Sequence, residues 1–417
     1  MDLLINTLRS LAYIFVNPYL IFILVVLSIV LFTRNKKLVL MQKMVIGEEQ
    51  NSAIELTVSQ VVIGIFGGVL VSSLLAYFGI LFADNSGIQI LFVLSMFLMF
   101  INSRFVCFSY SGAVLGLISI VLSVISNGNT PRFHIDIMML MSFIGIFHIV
   151  EGIIVAADGE RGSIPVFSNR NGQIQGGYSL KREWITPIAM MFAFSAESLN
   201  GISSQMKVAD WWPIISDGYT ISLLSTMIIS FLPLFAVLGY SSVTFTRGKK
   251  NKAMSSGIFI ICYGILLTLV SQLCKFGIAG EILVVILAPA GHELMLRGQK
   301  YIESKRSPIF ISDTGICVLE IIQSSQVYNL GIRIGDKITD IDGTKIFSEI
   351  QAYELLKKGI REIHLIKPDG ETSVYKSDQI VKEEAGLVLV PKTVKLDKVV
   401  PVENEKFSEV LDKLQKK

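Results

Sequence analysis

The stretch that decides the fold of the C-terminal part of this chain is residues 315–343, which read GICVLEIIQSSQVYNLGIRIGDKITDIDG. Its first part, residues 316–322, is rich in the β-branched and aliphatic side chains that suit a buried strand. A polar run ends this segment, and residues 327–330 then fit one helical turn that Gly331 terminates. The order strand, short helix, glycine is the beginning of a compact module.

Two turns continue the pattern. Gly335-Asp336 predicts a tight turn into a second strand, residues 337–341. Asp342-Gly343 predicts a hairpin turn, because both of its central positions favour a positive φ. Further along the chain, the spacing of apolar residues predicts an amphipathic helix over 347–358, a strand over 360–366, a turn at 368–370 and a strand over 372–375. Together these segments predict a small α/β domain that is mostly β.

Ten residues of this module have the types and the spacing of a known domain pattern. The pattern resembles the PDZ domains of the circularly permuted bacterial type, which implies that residues 297–390 form a PDZ domain. The sequence departs from the family pattern at Val327, where alanine is usual, and at Ser324-Ser325, where Ser-Pro is usual. The matching residues are Gly315, Val318, Gly331, Ile332, Gly335, Asp336, Ile338, Ile341, Asp342 and Gly343.

The composition upstream is that of a membrane protein. Of the 417 residues, 52% are hydrophobic and only 17% are charged, whereas soluble domains are about a quarter charged. The net charge of +3 is too small to indicate nucleic-acid binding. Cys107, Cys262, Cys274 and Cys317 have no CxxC spacing, and three of them lie in apolar segments. We interpret the cysteines as small buried hydrophobes rather than disulfides or metal ligands.

Long apolar runs predict a polytopic α-helical membrane domain over residues 1–296, with about eight or nine helices. A bilayer core needs roughly 20 helical residues, so the runs 88–103 and 185–203 are the weakest candidates for spans and fit re-entrant or buried helices as well. The predicted spans are 12–32, 59–83, 88–103, 105–126, 135–157, 185–203, 218–241, 255–275 and 277–295.

The distribution of basic residues predicts the orientation. With nine spans and an external N-terminus, most loop lysines and arginines lie inside, which places the loop 158–184 and the PDZ domain in the cytoplasm. The loop is polar and glycine-rich, and residues 169–172 (Asn-Arg-Asn-Gly) predict a small β-hairpin. Residues 391–417 are charged and weakly patterned, so we interpret them as a C-terminal tail.

Protease chemistry is excluded by missing residues. An intramembrane zinc protease needs H-E-x-x-H, and the nearest match, residues 292–296, is His-Glu-Leu-Met-Leu, in which leucine replaces the second ligand. There is no G-x-S-x-G motif of a serine hydrolase. We therefore expect a protein that is not an enzyme, with no metal ligand set and no cofactor. His292 and Glu281 lie near a predicted membrane surface, where they need no functional explanation.

Ionisable residues inside the apolar runs are candidates for function because they are costly there. His148 and Glu151 are three residues apart on one helix face, and Glu197 lies in the next predicted span. One hypothesis is an ion or proton site. The alternative is a polar clamp, that is, side chains that hydrogen-bond to each other and hold two helices together. Three groups without a second histidine fit this alternative better.

The PDZ resemblance implies a peptide-binding groove. PDZ domains add an extended peptide to an exposed sheet edge and bind its carboxylate with backbone N–H groups. In domains like this one the carboxylate-binding loop corresponds to Pro308, Ile309, Phe310 and Ile311, and the helix that lines the groove corresponds to Ile350, Tyr353 and Glu354. Simple core packing is the alternative for Ile309 and Phe310. The polar C-terminus of the chain fits an apolar groove poorly, so we do not expect it to bind there.

The overall layout is similar to the MinJ-type membrane proteins of Gram-positive bacteria. The similarity includes His148-Ile149-Val150-Glu151-Gly152, then Pro165-Val166-Phe167, then Gly176-Gly177 leading to Trp184-Ile185-Thr186-Pro187. This resemblance implies a multi-pass protein of the cell membrane that places the division site, and it implies two partners, a MinD-like ATPase and a DivIVA-like polar coiled-coil protein.

The residues themselves support a membrane-anchored peptide-binding module, so our first hypothesis is a non-enzymatic scaffold that binds protein partners and the lipid bilayer, and no nucleic acid. The second hypothesis is a membrane transporter or sensor with a regulatory PDZ domain. A third is an adaptor for a separate membrane protease.

Overall fold

The computed structural model of this chain describes residues 2–83, 86–101, 105, 107–126, 134–170, 172–195, 210–216, 227–382 and 386–392. The chain divides into two compact units. The first comprises residues 1–42, 49–164 and 178–307, and the second comprises residues 43–48, 165–177 and 308–417. Glu197 and residues 393–417 of the predicted tail lie outside the described residues.

Helices dominate the first unit. Its strands are β1 (Leu81–Ala83), β4 (Met227–Thr244) and the greater part of β3 (Gln173–Ser195). A 3-10 segment, Ser271–Phe276, continues α7. The helices are α1 (Asp2–Tyr13), α2 (Pro18–Ile46), α3 (Ala53–Phe78), α4 (Gln89–Ile101), α5 (Phe108–Ile125), α6 (Ile137–Asp158), α7 (Lys249–Val270) and α8 (Ile278–Lys305).

Six helices in the described ranges are long and apolar enough to cross a membrane, namely α2, α3, α5, α6, α7 with its 3-10 extension, and α8. Their apolar side chains are widely exposed, as with Phe22 and Phe66, and a bilayer covers such surfaces. Helix α6 is the central one, since 83% of its apolar window is buried in the protein. The expectation of a multi-pass membrane protein is confirmed at this level.

Two glycine pairs bring α6 and α7 into close contact. A Cβ on Gly152 would lie 2.5 Å from the carbonyl oxygen of Gly257, and a Cβ on Gly264 would lie 2.6 Å from that of Gly145. In lipid, where helices gain little from hydrophobic burial against each other, small residues allow this close backbone packing. The pairing aligns the polar residues of α6 with those of α7.

The predicted spans 185–203 and 218–241 are wrong where the structure describes them, because residues 185–195 and 227–241 are strands. They belong to β3 and β4, which pair antiparallel in one continuous register. Each segment contains a proline, Pro187 or Pro233, a residue that is unfavourable in a helix interior. Serine and glycine on α3 allow that helix to contact β3, since Ser72 Oγ accepts the N–H of Ala189 at 2.8 Å and a Cβ on Gly68 would clash with the carbonyl of Pro187.

The second unit is rich in strands. Its six-stranded sheet has the order β10-β9-β7-β6-β11, with β8 paired to β7. The elements are β2 (Ile164–Arg170, from Pro165 on), the first residues of β3, β5 (Phe310–Ile311), β6 (Ile316–Ile321), α9 (Gln326–Asn329), β7 (Lys337–Ile341), β8 (Thr344–Lys345), α10 (Glu349–Lys358), β9 (Ile360–Ile366), β10 (Thr372–Val381) and β11 (Leu387–Leu389).

The predicted elements of this unit are present with only small shifts at their ends, and β10 extends six residues beyond the predicted end at 375. Asp342 and Gly343 have φ values of +48° and +77°, as the hairpin prediction requires. The predicted hairpin of the loop 158–184 is also present, because β2 and β3 are neighbours in one sheet. A strand-rich α/β region therefore follows the helices.

The core of this unit is formed by the residues that the apolar pattern selected. Buried aliphatic side chains of β6, β7 and β9 pack against α10, whose Ala352 and Leu356 face inward. At the Gly335-Asp336 turn, the buried carboxylate of Asp336 accepts the Arg333 N–H and the Lys367 ammonium, both at 2.8 Å. The turn is thus fixed by charge as well as by glycine.

Candidate functional site

A polar cluster lies among four helices of the first unit. Its centre is a contact between Cys107, which directly precedes α5, and His148 of α6, with 3.0 Å between Sγ and Nε2. His292 of α8 joins them, and the ligand atoms of the three residues lie within 4.8 Å of one another. The trio combines one thiol with two imidazoles.

The ring of His148 is fixed by its second nitrogen. Nδ1 lies 2.7 Å from the carbonyl oxygen of Ile144, one helical turn earlier. A carbonyl oxygen only accepts, so Nδ1 carries the proton and Nε2 presents a lone pair towards Cys107 when the ring is neutral. Backbone geometry therefore selects the tautomer.

The ring of His292 is fixed in a similar way by Tyr110 of α5. The Tyr110 hydroxyl donates to Glu293 Oε1 at 2.6 Å and lies 3.2 Å from His292 Nδ1. A phenol has one hydrogen to donate, so its oxygen accepts the Nδ1–H of His292. The lone pair of the neutral ring is then on Nε2.

Tyr263 of α7 forms one wall of the cluster. Its ring contacts those of His148 and His292 edge-on, with centroids 5.0 Å and 5.6 Å away. Its hydroxyl donates to the carbonyl of Ala288 at 2.7 Å and accepts from Ser109 at 2.8 Å. The tyrosine thus links α5, α7 and α8 around the histidines.

Of the predicted intramembrane residues, the structure brings His148 and Glu151 together, with 3.7 Å between Nε2 and Oε2. The hydrogen-bond partners of His148 are Cys107 and Ile144. Two expectations are corrected. Cys107 is not merely a small hydrophobe, and His292 is part of a cluster. Cys107, His148 and His292 are far apart in sequence, so their spacing did not indicate a shared site. The available sequence signal was the presence of a histidine or cysteine in each of several predicted spans.

The predicted carboxylate-binding loop is in contact with the chain itself. Phe310 and Ile311 form β5, which pairs antiparallel with Gly176 and Gln175 of β3. Phe310 is buried, which agrees with the core-packing alternative, whereas Ile309 is 47% exposed. Pro308 is half-buried, and Ile350 and Glu354 of the predicted groove helix are exposed.

An extended segment of the chain lies on the edge of β6. Strand β11 pairs antiparallel with it, with Leu387 opposite Ile321 and Leu389 opposite Val318. The pairing continues at Val390, whose N–H donates to the carbonyl of Cys317 at 2.8 Å. Residues 387–390 belong to the same chain as β6, so we refer to them as the cis strand or cis segment.

The predicted groove residue Tyr353 contacts the same segment from α10. Its hydroxyl accepts the N–H of Leu389 at 3.0 Å and donates to the carbonyl of Leu387 at 3.1 Å. Burial raises the pKa of Tyr353, so the neutral phenol that both donates and accepts persists at physiological pH. Residues 387–390 therefore lie extended beside β6 and contact Tyr353 of α10.

No protein-family model, no curated protein and no solved structure matches this chain.

Proposed function

We propose that this chain is a non-enzymatic membrane scaffold whose C-terminal unit is a PDZ-type peptide-binding domain in the cytoplasm. The observation that supports it most is the position of residues 387–390. They extend β6 by one antiparallel strand while Tyr353 of α10 bonds to their backbone. Strand addition to a sheet edge beside a helix is how PDZ domains bind peptides.

The orientation is supported by charge. The C-terminal end of α2 contains Arg34, Lys36, Lys37 and Lys43, and α8 ends in a segment with Arg297, Lys300 and Lys305 immediately before the second unit. Basic residues beside membrane spans favour the cytoplasmic side. In this proposal the β-rich unit therefore faces the cytoplasm of a cell whose membrane the six helices cross.

The partners follow from the resemblance to MinJ-type proteins, which implies a MinD-like ATPase and a DivIVA-like coiled-coil protein. In this proposal a partner segment binds β6 in place of residues 387–390. The cis strand then acts as a competitor that lowers the apparent affinity of the groove, because only the fraction of molecules with an open edge binds.

Co-flotation with proteoliposomes tests the scaffold. The full chain is reconstituted and mixed with a purified MinD-like ATPase, with ATP, and a purified DivIVA-like protein. We expect at least one of them to float with the vesicles. Ile350→Lys at the exposed rim of α10 should weaken this recruitment. Ile380→Lys on β10, at the opposite end of the sheet and also exposed, is the matched control.

Two results would overturn the proposal. One is that neither protein floats with wild-type vesicles or with vesicles that carry Tyr353→Phe, in which the cis strand is loosened. The other is that Ile380→Lys weakens recruitment as much as Ile350→Lys. Specific recruitment of a membrane protease by the same surface would instead support the third hypothesis, an adaptor for that protease.

A transporter or sensor with a regulatory PDZ domain is the second candidate, and the polar cluster around His148 favours it. Buried thiol, imidazole and carboxylate groups at the contact of several membrane helices are typical of ion or proton pathways. Ion flux into proteoliposomes that is lost in Glu151→Gln and Glu197→Gln would support this function. Unchanged flux in both variants, or no flux in the wild type, would exclude it.

A further inference from the structure

We propose that Cys107, His148 and His292 form a binding site for Zn²⁺ inside the membrane domain. The inference does not depend on the scaffold function. It starts from the donor atoms, which come from α6, α8 and the residue before α5 and lie within 4.8 Å of one another. Thiolate and imidazole are the ligands that zinc prefers in proteins, and they discriminate against Mg²⁺ and Ca²⁺, which prefer oxygen.

The distances require only a small adjustment. With Zn–S of about 2.3 Å and Zn–N of about 2.1 Å, tetrahedral ligand atoms lie about 3.6 Å apart. The Cys107 Sγ to His148 Nε2 distance is 3.0 Å, and the widest separation in the trio is within 4.8 Å. Side-chain rotations that move each ligand atom by about 1 Å would bring all three atoms to the spacing of zinc ligands.

Both histidines are prepared for metal binding by their other nitrogen. His148 donates from Nδ1 to the carbonyl of Ile144, and His292 donates from Nδ1 to the hydroxyl of Tyr110. Tyr110 in turn donates to the carboxylate of Glu293. Metal-ligating histidines almost always have such a partner, which fixes the ring and increases its basicity. Each Nε2 is left to bind the ion.

A fourth ligand is close. Glu151 Oε2 lies 3.7 Å from His148 Nε2, on the same face of α6. With this carboxylate the site would be Cys–His–His–Glu. Its charge then balances, because one thiolate and one carboxylate offset the two positive charges of Zn²⁺ while both imidazoles are neutral. Binding releases the thiol proton to solvent and involves no redox step. A neutral complex suits a membrane interior, where net charge is costly.

The scaffold around the site is rigid. The Gly145–Gly264 and Gly152–Gly257 contacts hold α6 against α7 on both sides of His148. Tyr263 spans the cluster from α7 and is anchored by its bond to Ala288 of α8. Ligands on helices that are fixed in this way hold a metal with little loss of conformational entropy.

The first test is metal content and cobalt spectroscopy on the full chain purified in detergent. We expect one Zn²⁺ per chain after dialysis against zinc. Replacement by Co²⁺ should give the thiolate-to-cobalt charge-transfer band and the visible bands of tetrahedral cobalt. Cys107→Ser should remove the charge-transfer band. Cys262→Ser, which changes an exposed cysteine of α7, should retain it.

The histidines are tested with matched variants. His148→Gln and His292→Gln should abolish stoichiometric binding, whereas His364→Gln in the second unit should not. Tyr110→Phe, which removes the hydroxyl that contacts His292 Nδ1 and Glu293, should weaken zinc binding by about 10–100-fold. Because a histidine variant in the membrane domain can fail to fold, a wild-type measurement is added. Bound zinc should protect Cys107 from alkylation and leave Cys262 reactive.

The proposal is overturned if wild-type protein binds no zinc in stoichiometric amount. It is also overturned if the cobalt charge-transfer band persists in Cys107→Ser, or if zinc leaves the alkylation of Cys107 unchanged. In any of these cases the cluster is a hydrogen-bonded clamp between helices. The scaffold function is tested by co-flotation, so the two proposals fail independently.

Discussion

The hydroxyl of Tyr353 and the N–H of Leu389 are 3.0 Å apart, which joins helix α10 to the strand on the edge of β6. A second bond runs from the same hydroxyl to the carbonyl of Leu387. One side chain therefore bonds to two backbone groups of the cis segment. This makes Tyr353 the most direct point at which to weaken that segment.

Tyr353→Phe should loosen residues 387–390, because it removes only the hydroxyl that bonds to their backbone. Two hydrogen bonds contribute about 1–2 kcal/mol, so the undocked population should rise by about 5–30-fold. Hydrogen exchange measured by mass spectrometry should accelerate in the peptide that contains these residues. Tyr301→Phe on α8, an exposed position, is the control. Equal exchange in wild type and Tyr353→Phe would show that the tyrosine does not hold the strand.

Two glycines of the second unit should differ sharply in their tolerance of alanine. Gly331 has a φ of +106°, and a Cβ there would lie 2.5 Å from the Tyr375 ring. Gly343 has a φ of +77° with nothing within 4 Å. Both substitutions introduce backbone strain, which costs on the order of 1 kcal/mol, but Gly331→Ala adds a steric clash.

Pulse proteolysis of the full chain in a urea series measures this difference through cleavage in the second unit. We expect the midpoint for Gly331→Ala to lie clearly below that for Gly343→Ala, which in turn lies slightly below wild type. If the two variants have the same urea midpoint, the Gly331–Tyr375 contact does not contribute to stability.

The glycine pairs between α6 and α7 give a prediction for the membrane domain. A Cβ on Gly257 would lie 2.4 Å from the carbonyl oxygen of Gly152, whereas a Cβ on Gly298 of α8 would meet nothing within 4 Å. Gly257→Ala should therefore push the helices apart and destabilise the domain by about 1–3 kcal/mol. Gly298→Ala should be neutral or slightly stabilising.

Thermal unfolding in detergent distinguishes these two variants. A lower midpoint for Gly257→Ala with an unchanged midpoint for Gly298→Ala is the expected result. Zinc affinity should fall together with stability in Gly257→Ala if the helix contact also positions His148. Equal midpoints for both variants would mean that the close backbone approach is not important for stability.

The sequence predicted the elements of the second unit well, because turns, helix ends and strands are determined there by local sequence signals. Asp342-Gly343 has the positive φ values that its turn type needs, and Gly331 terminates a short helix as expected. Alternating burial along β9 follows the apolar pattern. The apolar pattern did not predict which strand pairs with the edge of β6. That strand is β11, which is far from β6 in the sequence.

In the membrane domain, hydropathy predicted the class of protein but not the type of every element. Residues 185–195 are apolar enough for a span, yet Pro187 and the pairing with β4 make them a strand. Apolar runs in lipid-facing proteins have no clear period of 2 or 3.6 residues, so hydropathy alone does not separate helix from strand there. The polar cluster was missed for a related reason, since Cys107, His148 and His292 meet only through helix packing.

The ion pair between Lys367 and Asp336 predicts how stability depends on pH. The two groups are 2.8 Å apart, and the Asp336 carboxylate is buried. Burial alone would lower the pKa of Lys367, but the hydrogen bond to Asp336 outweighs it, so the pKa is raised above the usual value. Because the folded state binds this proton more tightly, the pair stabilises fully below the unfolded pKa of about 10.4. Its contribution is lost as pH rises through the folded pKa.

Pulse proteolysis between neutral pH and strongly alkaline pH tests this linkage on the full chain. The stability of the wild-type second unit should fall at alkaline pH, and the difference between wild type and Lys367→Met should shrink over the same window. Lys345→Met removes an exposed lysine of β8, so it should follow the wild-type curve. A constant difference between wild type and Lys367→Met across this range would show that the ammonium charge does not stabilise the Gly335-Asp336 turn.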